Sequence, residues 1–300
     1  MVTTSPVAGQ GDLLFGRSLA LFGEAEQVAR WFVEQTKAGP GCRLSPVRRA
    51  AVFLTVACWV ASCSGAGQVA PSVPPASGAV ALETLPESTT FTSLTGVSID
   101  SVTGTDAGTV VVHPVEELPV YNEYGGRPIA RLPAQQVGSP TWLPVLAARG
   151  EWVRVLLPSR PNGSTGWLNT AGGKVDRARN SYRVDVDRDG YSLRVVNNGT
   201  AEASWKVGIG KEKYPTPVGN FFILASVRET VNKYSPLVLP LSAHSESHET
   251  FAGGPGTVAI HTWPTDDHLG KQDSDGCIRV SKDALDRLVK LPLGTLVSVR

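Results

Sequence analysis

Residues 274–280 read Ser274-Asp275-Gly276-Cys277-Ile278-Arg279-Val280, and the apolar run Thr257-Val258-Ala259-Ile260 ends on His261, sixteen positions before Cys277. A short β-branched run closing on a histidine is the pattern of a strand that delivers a side chain to the edge of a cleft. Cys277 is the only cysteine beyond Cys63. A thiol at its ordinary pKa of about 8.5 is only a few per cent ionised at neutral pH, so a cysteine nucleophile needs a base or a cation beside it. His261 is the candidate base. Thr262 can hold the far ring nitrogen through its hydroxyl or its backbone carbonyl. Gly276 lets the backbone approach a substrate carbonyl, and its N–H with that of Cys277 is a candidate oxyanion hole.

Working outward, Tyr182–Asp187 and Tyr191–Val196 alternate around Arg188-Asp189-Gly190, which predicts a β-hairpin. Asp185-x-Asp187-x-Asp189-Gly190 also matches half of a calcium loop, but the twelfth position is Val196 where a carboxylate is needed, so a turn is the better reading. Gly208-Ile209-Gly210 opens no predicted helix and no Gly-Lys-Ser/Thr follows, which argues against a phosphate-cradling loop. A helix is expected over 282–290, capped by Ser281, with Leu285, Leu288 and Val289 on one face and Leu291-Pro292 stopping it. Cys277 would then lie shortly before a helix N-terminus, where the macrodipole favours a thiolate. His244, His248, His261, His268 and Cys277 lack the spacing of a zinc site, so no metal and no cofactor is expected. Asp266, Asp267 and Asp273 read as solvated loop charge, with attraction of an acceptor amine as the functional alternative.

Several ordered motifs agree with one family. Pro215-Thr-Pro-Val-Gly219, Leu241-Ser-Ala-His-Ser245, Phe251-Ala-Gly-Gly254, Val258-Ala-Ile-His261 with Thr262-Trp263, and Ser274 to Val280 together resemble the YkuD-type L,D-transpeptidase catalytic domain over nearly all of 182–300. The resemblance implies a β-sandwich with one or two short helices. It makes Cys277 the nucleophile, His261 the general base, Thr262 its orienting partner and Gly276 the oxyanion-hole backbone. Ser242, His244, Trp263, Ser274, Asp275 and Arg279 make up the expected substrate-binding set, and Ser242, His244 and His248, ahead of the Phe251-Ala-Gly-Gly254 turn, read as a mobile flap over the site. The implied reaction joins peptidoglycan stem peptides by a 3→3 cross-link, with carbapenem-type β-lactams as covalent inhibitors. Water as acceptor would instead make an L,D-carboxypeptidase. The family often carries His at the position of Asp275, and a carboxylate beside a thiol opposes its ionisation if it points inward. Asp275 is therefore expected to point away or pair with Arg279. It is also the one feature favouring a third reading, an inactive wall-binding lipoprotein.

Toward the N-terminus, Arg48-Arg49 precede twelve largely apolar residues, 50–61, a length that suits a signal-peptide core and falls short of a membrane span. The run ends at Val60-Ala61-Ser62-Cys63, which resembles a lipobox, so Cys63 is the expected lipidation site and 47–63 the signal peptide. Residues 1–46 read as a mis-called start or a cytoplasmic stub. The Ser-, Gly-, Ala- and Pro-rich stretch 64–108 reads as a flexible tether. Short β-like runs alternate with turns over 109–172, a small barrel that resembles bacterial SH3-like domains, with Trp152 and Trp167 as a ligand face or as supporting core. A polar connector, 174–180, leads into the catalytic domain, 180–300.

The fold class is accordingly mainly β. A formal charge of +1 with 18% charged residues gives no broad basic field, which excludes nucleic acid as a natural partner. The expected setting is the outer face of the cytoplasmic membrane, lipid-anchored within the cell envelope.

Overall fold

Alternating Val184, Val186, Leu193 and Val195 put one apolar face on the predicted hairpin, and Tyr182–Asp187 does pair antiparallel with Ser192–Asn197. The computed structural model describes residues 81–99, 109–229, 234–247 and 255–300. The expectations placed on 1–80, including Cys63 and the signal peptide, and on His248 and Phe251 lie outside the described residues. No helix among the described residues is long and apolar enough to cross a membrane.

The chain is mainly β, as expected. The hairpin continues into a five-stranded sheet ordered Thr200–Lys206, Ser192–Asn197, Tyr182–Asp187, Leu296–Val299 and Gly219–Phe222. The strands Val227–Arg228, Leu237–His244, Thr257–His261 and Ile278–Arg279 form a second sheet in that order. Val184, Val186, Leu193 and Val195 from the first sheet share one buried core with Leu239, Leu241, Val258, Ile260 and Ile278 from the second, which makes the sandwich. The helix Lys282–Leu288 adds Ala284, Leu285 and Leu288 to that core. Ser281 is its N-cap by position, although its hydroxyl donates to the Asp283 carboxylate rather than accepting a backbone N–H. The Arg188-Asp189-Gly190 turn is closed by Asp187, whose carboxylate accepts the Gly190 N–H at 3.0 Å.

Ahead of the sandwich lies an eight-stranded antiparallel sheet ordered Val175–Arg179, Val110–Pro114, Leu143–Arg149, Trp152–Leu156, Ser164–Asn169, Leu118–Tyr121 and Pro128–Leu132, with Ser98–Ile99 also on Ser164–Asn169. Two expectations are corrected here. The polar connector is a strand: Val175–Arg179 pairs with Val110–Pro114 because its backbone needs ladder partners even where its side chains face water. The expected tether is ordered over 81–99, where Ser88, Thr90 and Leu94 are buried and Leu94 donates its N–H to the Arg160 carbonyl at 2.9 Å. Tyr121, Tyr124, Trp152 and Trp167 contact one another at 4.9–5.9 Å between centroids, with the Arg149 guanidinium 4.1 Å above Tyr124.

The two sheet systems share apolar cores. Val111, Trp142 and Ala178 belong to the sandwich core, while Phe222, Leu224 and Leu296 belong to the core of the N-terminal sheet. Gly294 sits where they meet, at φ 78°, and a Cβ there would lie 3.1 Å from the Trp142 carbonyl oxygen.

Candidate active site

In a parallel ladder, paired residues present their side chains to the same face of the sheet. Thr257–His261 pairs parallel with Ile278–Arg279, with Ile260 opposite Ile278 and His261 opposite Arg279. Cys277 precedes Arg279 by one alternation, so it shares the face of His261 and Arg279. Ala259 and Val238 pack against Cys277 on that face, with Tyr234 at the edge of the cluster. The thiol is outside any disulfide and 7% exposed, and His261 is fully buried. The ladder therefore sets Cys277 and His261 on one face of the sheet.

The His261 ring is held in one tautomer. His261 Nδ1 lies 2.7 Å from the Thr262 carbonyl oxygen, which only accepts, so Nδ1 carries the hydrogen and Nε2 the lone pair. Of the two routes open to Thr262, the backbone carbonyl is the one used. Its hydroxyl and its N–H instead each lie 3.0 Å from Ser235 Oγ, and Ser235 donates onward to the Leu237 carbonyl at 2.6 Å. Ser235 was not singled out in the sequence; an isolated serine before Pro236 carries no local signal of a contact made 27 positions away. Tyr234 meets the His261 ring edge-on at 4.9 Å. Trp263 completes this aromatic wall, and the Arg279 guanidinium stacks 3.9 Å over its ring.

The cysteine loop is organised from within. Ser274 is fully buried, and its hydroxyl donates to the Cys277 carbonyl at 2.6 Å while accepting the Gly276 N–H at 3.2 Å. Ser274 thus shapes the turn rather than reaching toward a substrate, and the Gly276 N–H has an internal partner. Gly276 adopts φ 115°, a region that favours glycine. Thr216, buried between Pro215 and Pro217, accepts the Gly210 N–H and donates to the Gly276 carbonyl, both at 2.9 Å. A trans peptide points its C=O and the following N–H in opposite directions, so Thr216 fixes which way the Cys277 N–H faces. The Pro-Thr-Pro run carried part of the family resemblance in the sequence; this bond across 60 positions did not show there.

Of the two expectations for Asp275, to point away or to pair with Arg279, the pairing is not made. Its carboxylate meets Lys211 Nζ at 2.6 Å, and Arg279 pairs with Asp273 at 3.2 Å. Adjacent strand geometry explains the exchange: Lys211 donates its N–H to the Ser274 carbonyl at 2.9 Å, which sets its side chain beside Asp275. The strand Ile278–Arg279 also separates Cys277 from the helix, so the thiol does not adjoin the first helical turn. Of the loop carboxylates, Asp266, Asp267 and Asp273 are exposed, and Asp267 is held below the usual carboxylate range chiefly by the Thr265 hydroxyl.

Ser242 and His244 are the second correction. Both lie in the strand Leu237–His244 and are buried, not on an exposed flap. Ser242 accepts the Phe222 N–H at 3.1 Å. His244 is fully buried, with Nε2 at 2.8 Å from the Thr90 carbonyl and 3.1 Å from the Thr90 hydroxyl. Asn162 pairs with both the N–H and the carbonyl of His244 at 2.8 Å, and Arg160 donates to the carbonyls of Ser245 and Pro255 at 3.1 and 2.8 Å. These residues tie the N-terminal sheet and the 81–99 segment to the base of the hairpin that leads into His261.

Burial pushes the His244 pKa down to about 4, with Arg160 adding to the effect and the Thr90 carbonyl opposing it. The unfolded chain protonates this ring near 6.5, so the contribution is fully present above that pH and is lost as pH falls toward 4. A gap of this size corresponds to about 3 kcal/mol. Urea unfolding at pH 7 and pH 4.5 should show a loss of stability that is smaller by about 2 kcal/mol in His244→Gln than in the parent chain.

Residues 181–299 match the family model described as YkuD, the L,D-transpeptidase catalytic domain. The chain is 29% identical over 119 residues to the curated YkuD protein of Bacillus licheniformis, named as an L,D-transpeptidase; the match covers 39% of this chain and 65% of that relative. Among solved structures, an L,D-transpeptidase from Mycobacterium tuberculosis is 17% identical, with 52% of this chain and 96% of that one covered at a TM-score of 0.35. L,D-transpeptidase 3 from the same organism, in complex with a faropenem-derived adduct, is 15% identical with the same coverage and a TM-score of 0.36.

Proposed function

We propose that the chain is a peptidoglycan L,D-transpeptidase in which Cys277 is the nucleophile and His261 the general base. The observation that carries this reading is the pairing of His261 with Arg279, which sets Cys277 on the face of a histidine whose Nδ1 is committed to the Thr262 carbonyl. The match of residues 181–299 to the catalytic-domain family supports the substrate class.

His261 Nε2 takes the thiol proton, and the thiolate attacks the carbonyl of the third residue of a stem tetrapeptide. The bond to the terminal D-alanine breaks, and the imidazolium returns the proton to the departing amine, leaving a thioester. A side-chain amine of another stem then attacks the thioester, loses its proton to His261 and expels the thiolate, giving the 3→3 cross-link. The Cys277 N–H, oriented through Thr216, is the backbone donor for the developing oxyanion. Trp263 and Arg279 form the wall beside the base, with the guanidinium stacked on the indole and paired with Asp273. No cofactor enters any step. Carbapenem-type β-lactams would acylate the same sulfur. Lipidation of Cys63 would place the enzyme at the outer face of the cytoplasmic membrane, within the cell envelope.

Incubating the protein with a disaccharide-tetrapeptide tests the assignment. Released D-alanine together with a cross-linked dimer is the expected result. Trimmed tripeptide without dimer would make water the acceptor and the enzyme a carboxypeptidase, and no release would leave the wall-binding reading.

A further inference from the structure

The loop that carries the thiol holds two carboxylates, Asp273 and Asp275, and one cation, Arg279. Arg279 is committed to Asp273. The charge of Asp275 is met from outside the loop by Lys211, whose Nζ stands 2.6 Å from its carboxylate. The pair is not a loose surface contact, since the Asp275 side chain is only 15% exposed against 42% for Lys211. Lys211 is also fixed through its backbone, with its N–H on the Ser274 carbonyl, and its Nζ lies 5.0 Å from the Tyr214 ring centroid.

We propose that Lys211 is a positioning residue for the nucleophile: by neutralising Asp275 it keeps the cysteine loop free of net negative charge, so that the Cys277 thiol ionises at neutral pH. This rests on the reading of Cys277 as the nucleophile. A negative charge two residues from a thiol disfavours its thiolate, and pairing that charge removes most of the effect. Charged and titratable groups on the elements around Cys277 include His261 from the strand Thr257–His261, Tyr234 from the segment before Leu237–His244, Asp273 and Arg279 from its own loop, the buried His268 beside the Gly208–Arg279 bridge, and Lys213 with Tyr214 beyond Lys211. Lys213 is exposed and engaged with Tyr214, so it does not replace Lys211 at Asp275.

The rate of Cys277 alkylation by iodoacetamide, followed by intact mass as a function of pH on the full chain, reads thiol ionisation without requiring turnover. Lys211→Met should move the half-maximal pH upward by about half a unit or more. Lys211→Arg should restore the parental profile, and adding Asp275→Asn to Lys211→Met should return the midpoint to the parental value or below. Raising salt should narrow the gap between the parent and Lys211→Met. A Lys211→Met profile that overlays the parent, or a double variant shifted as far as the single one, overturns the proposal. A parental midpoint at or above about 8.5 overturns the nucleophile reading itself, and this inference with it.

Discussion

In a Cys277→Ala protein no carbapenem adduct forms and D-alanine release falls by about 10³-fold or more, whereas the parent chain gains one covalent adduct by intact mass. Alanine removes the sulfur and little else, because Cys277 packs against Val238 and Ala259 and Ser274 bonds its backbone carbonyl rather than its side chain. The fold is therefore expected to survive, and loss of the adduct reports chemistry. His261→Gln separates base from nucleophile. A glutamine amide can still donate to the Thr262 carbonyl, so the aromatic wall of Tyr234 and Trp263 keeps its support, but the variant cannot accept the thiol proton. Its acylation rate should fall by about 10²- to 10⁴-fold at neutral pH and recover in part as pH rises and the thiol ionises unaided. An adduct forming at the parental rate in His261→Gln would remove the histidine from the mechanism, and an adduct persisting in Cys277→Ala would remove the cysteine.

The residues most legible in the sequence are those whose role is set by neighbours along the chain. The hairpin at 182–197 announces itself through period-two alternation and an Asp-Gly turn, and His261 through its place at the end of an apolar run. The glycine ahead of Cys277 is readable for the same reason, since φ 115° is a local demand. What escaped is set across the chain. The 81–99 segment has the composition of a linker because its burial relies on hydroxyls rather than apolar side chains. Ser88 meets Ser159, and Thr90 meets both His244 and Thr257, so polar groups are satisfied inside an interface that no apolar pattern marks. The same holds for Ser235 and Thr216, single hydroxyls whose value depends on Thr262 and Gly276 arriving opposite them. The partner of Asp275 was not legible for the same reason: the strand Ile209–Gly210 beside Gln272–Ser274 brings Lys211, 64 positions away, to its carboxylate. Ser242 and His244 have the polarity of a flap and the location of a core strand, because their partners, the Phe222 N–H and Thr90, come from elsewhere in the chain.

Replacing Phe222 by Ala should destabilise the whole described assembly in one step, by about 3–5 kcal/mol. Phe221 and Phe222 are consecutive on the strand Gly219–Phe222, so their rings leave opposite faces. Phe221 enters the sandwich core, and Phe222, fully buried, enters the core formed by Leu132, Leu143, Val155 and Leu168 of the N-terminal sheet. One strand of the five-stranded sheet thus serves both cores, and Leu224 and Leu296 repeat the pattern. If the halves unfolded independently, Phe222→Ala would split the thermal transition and lower only the part belonging to the N-terminal sheet. Shared cores predict a single transition displaced downward by about 10 °C or more, with far-UV and tryptophan signals moving together. Phe221→Ala should give the same single displaced transition from the other side of the strand. The loss is a large fraction of the 5–15 kcal/mol by which such proteins are stable at all, so near-physiological temperature should already bring measurable inactivation of Cys277 chemistry in the Phe222 variant. Two resolved transitions, or an N-terminal sheet that melts while carbapenem acylation persists, would show that the sandwich stands without its neighbour.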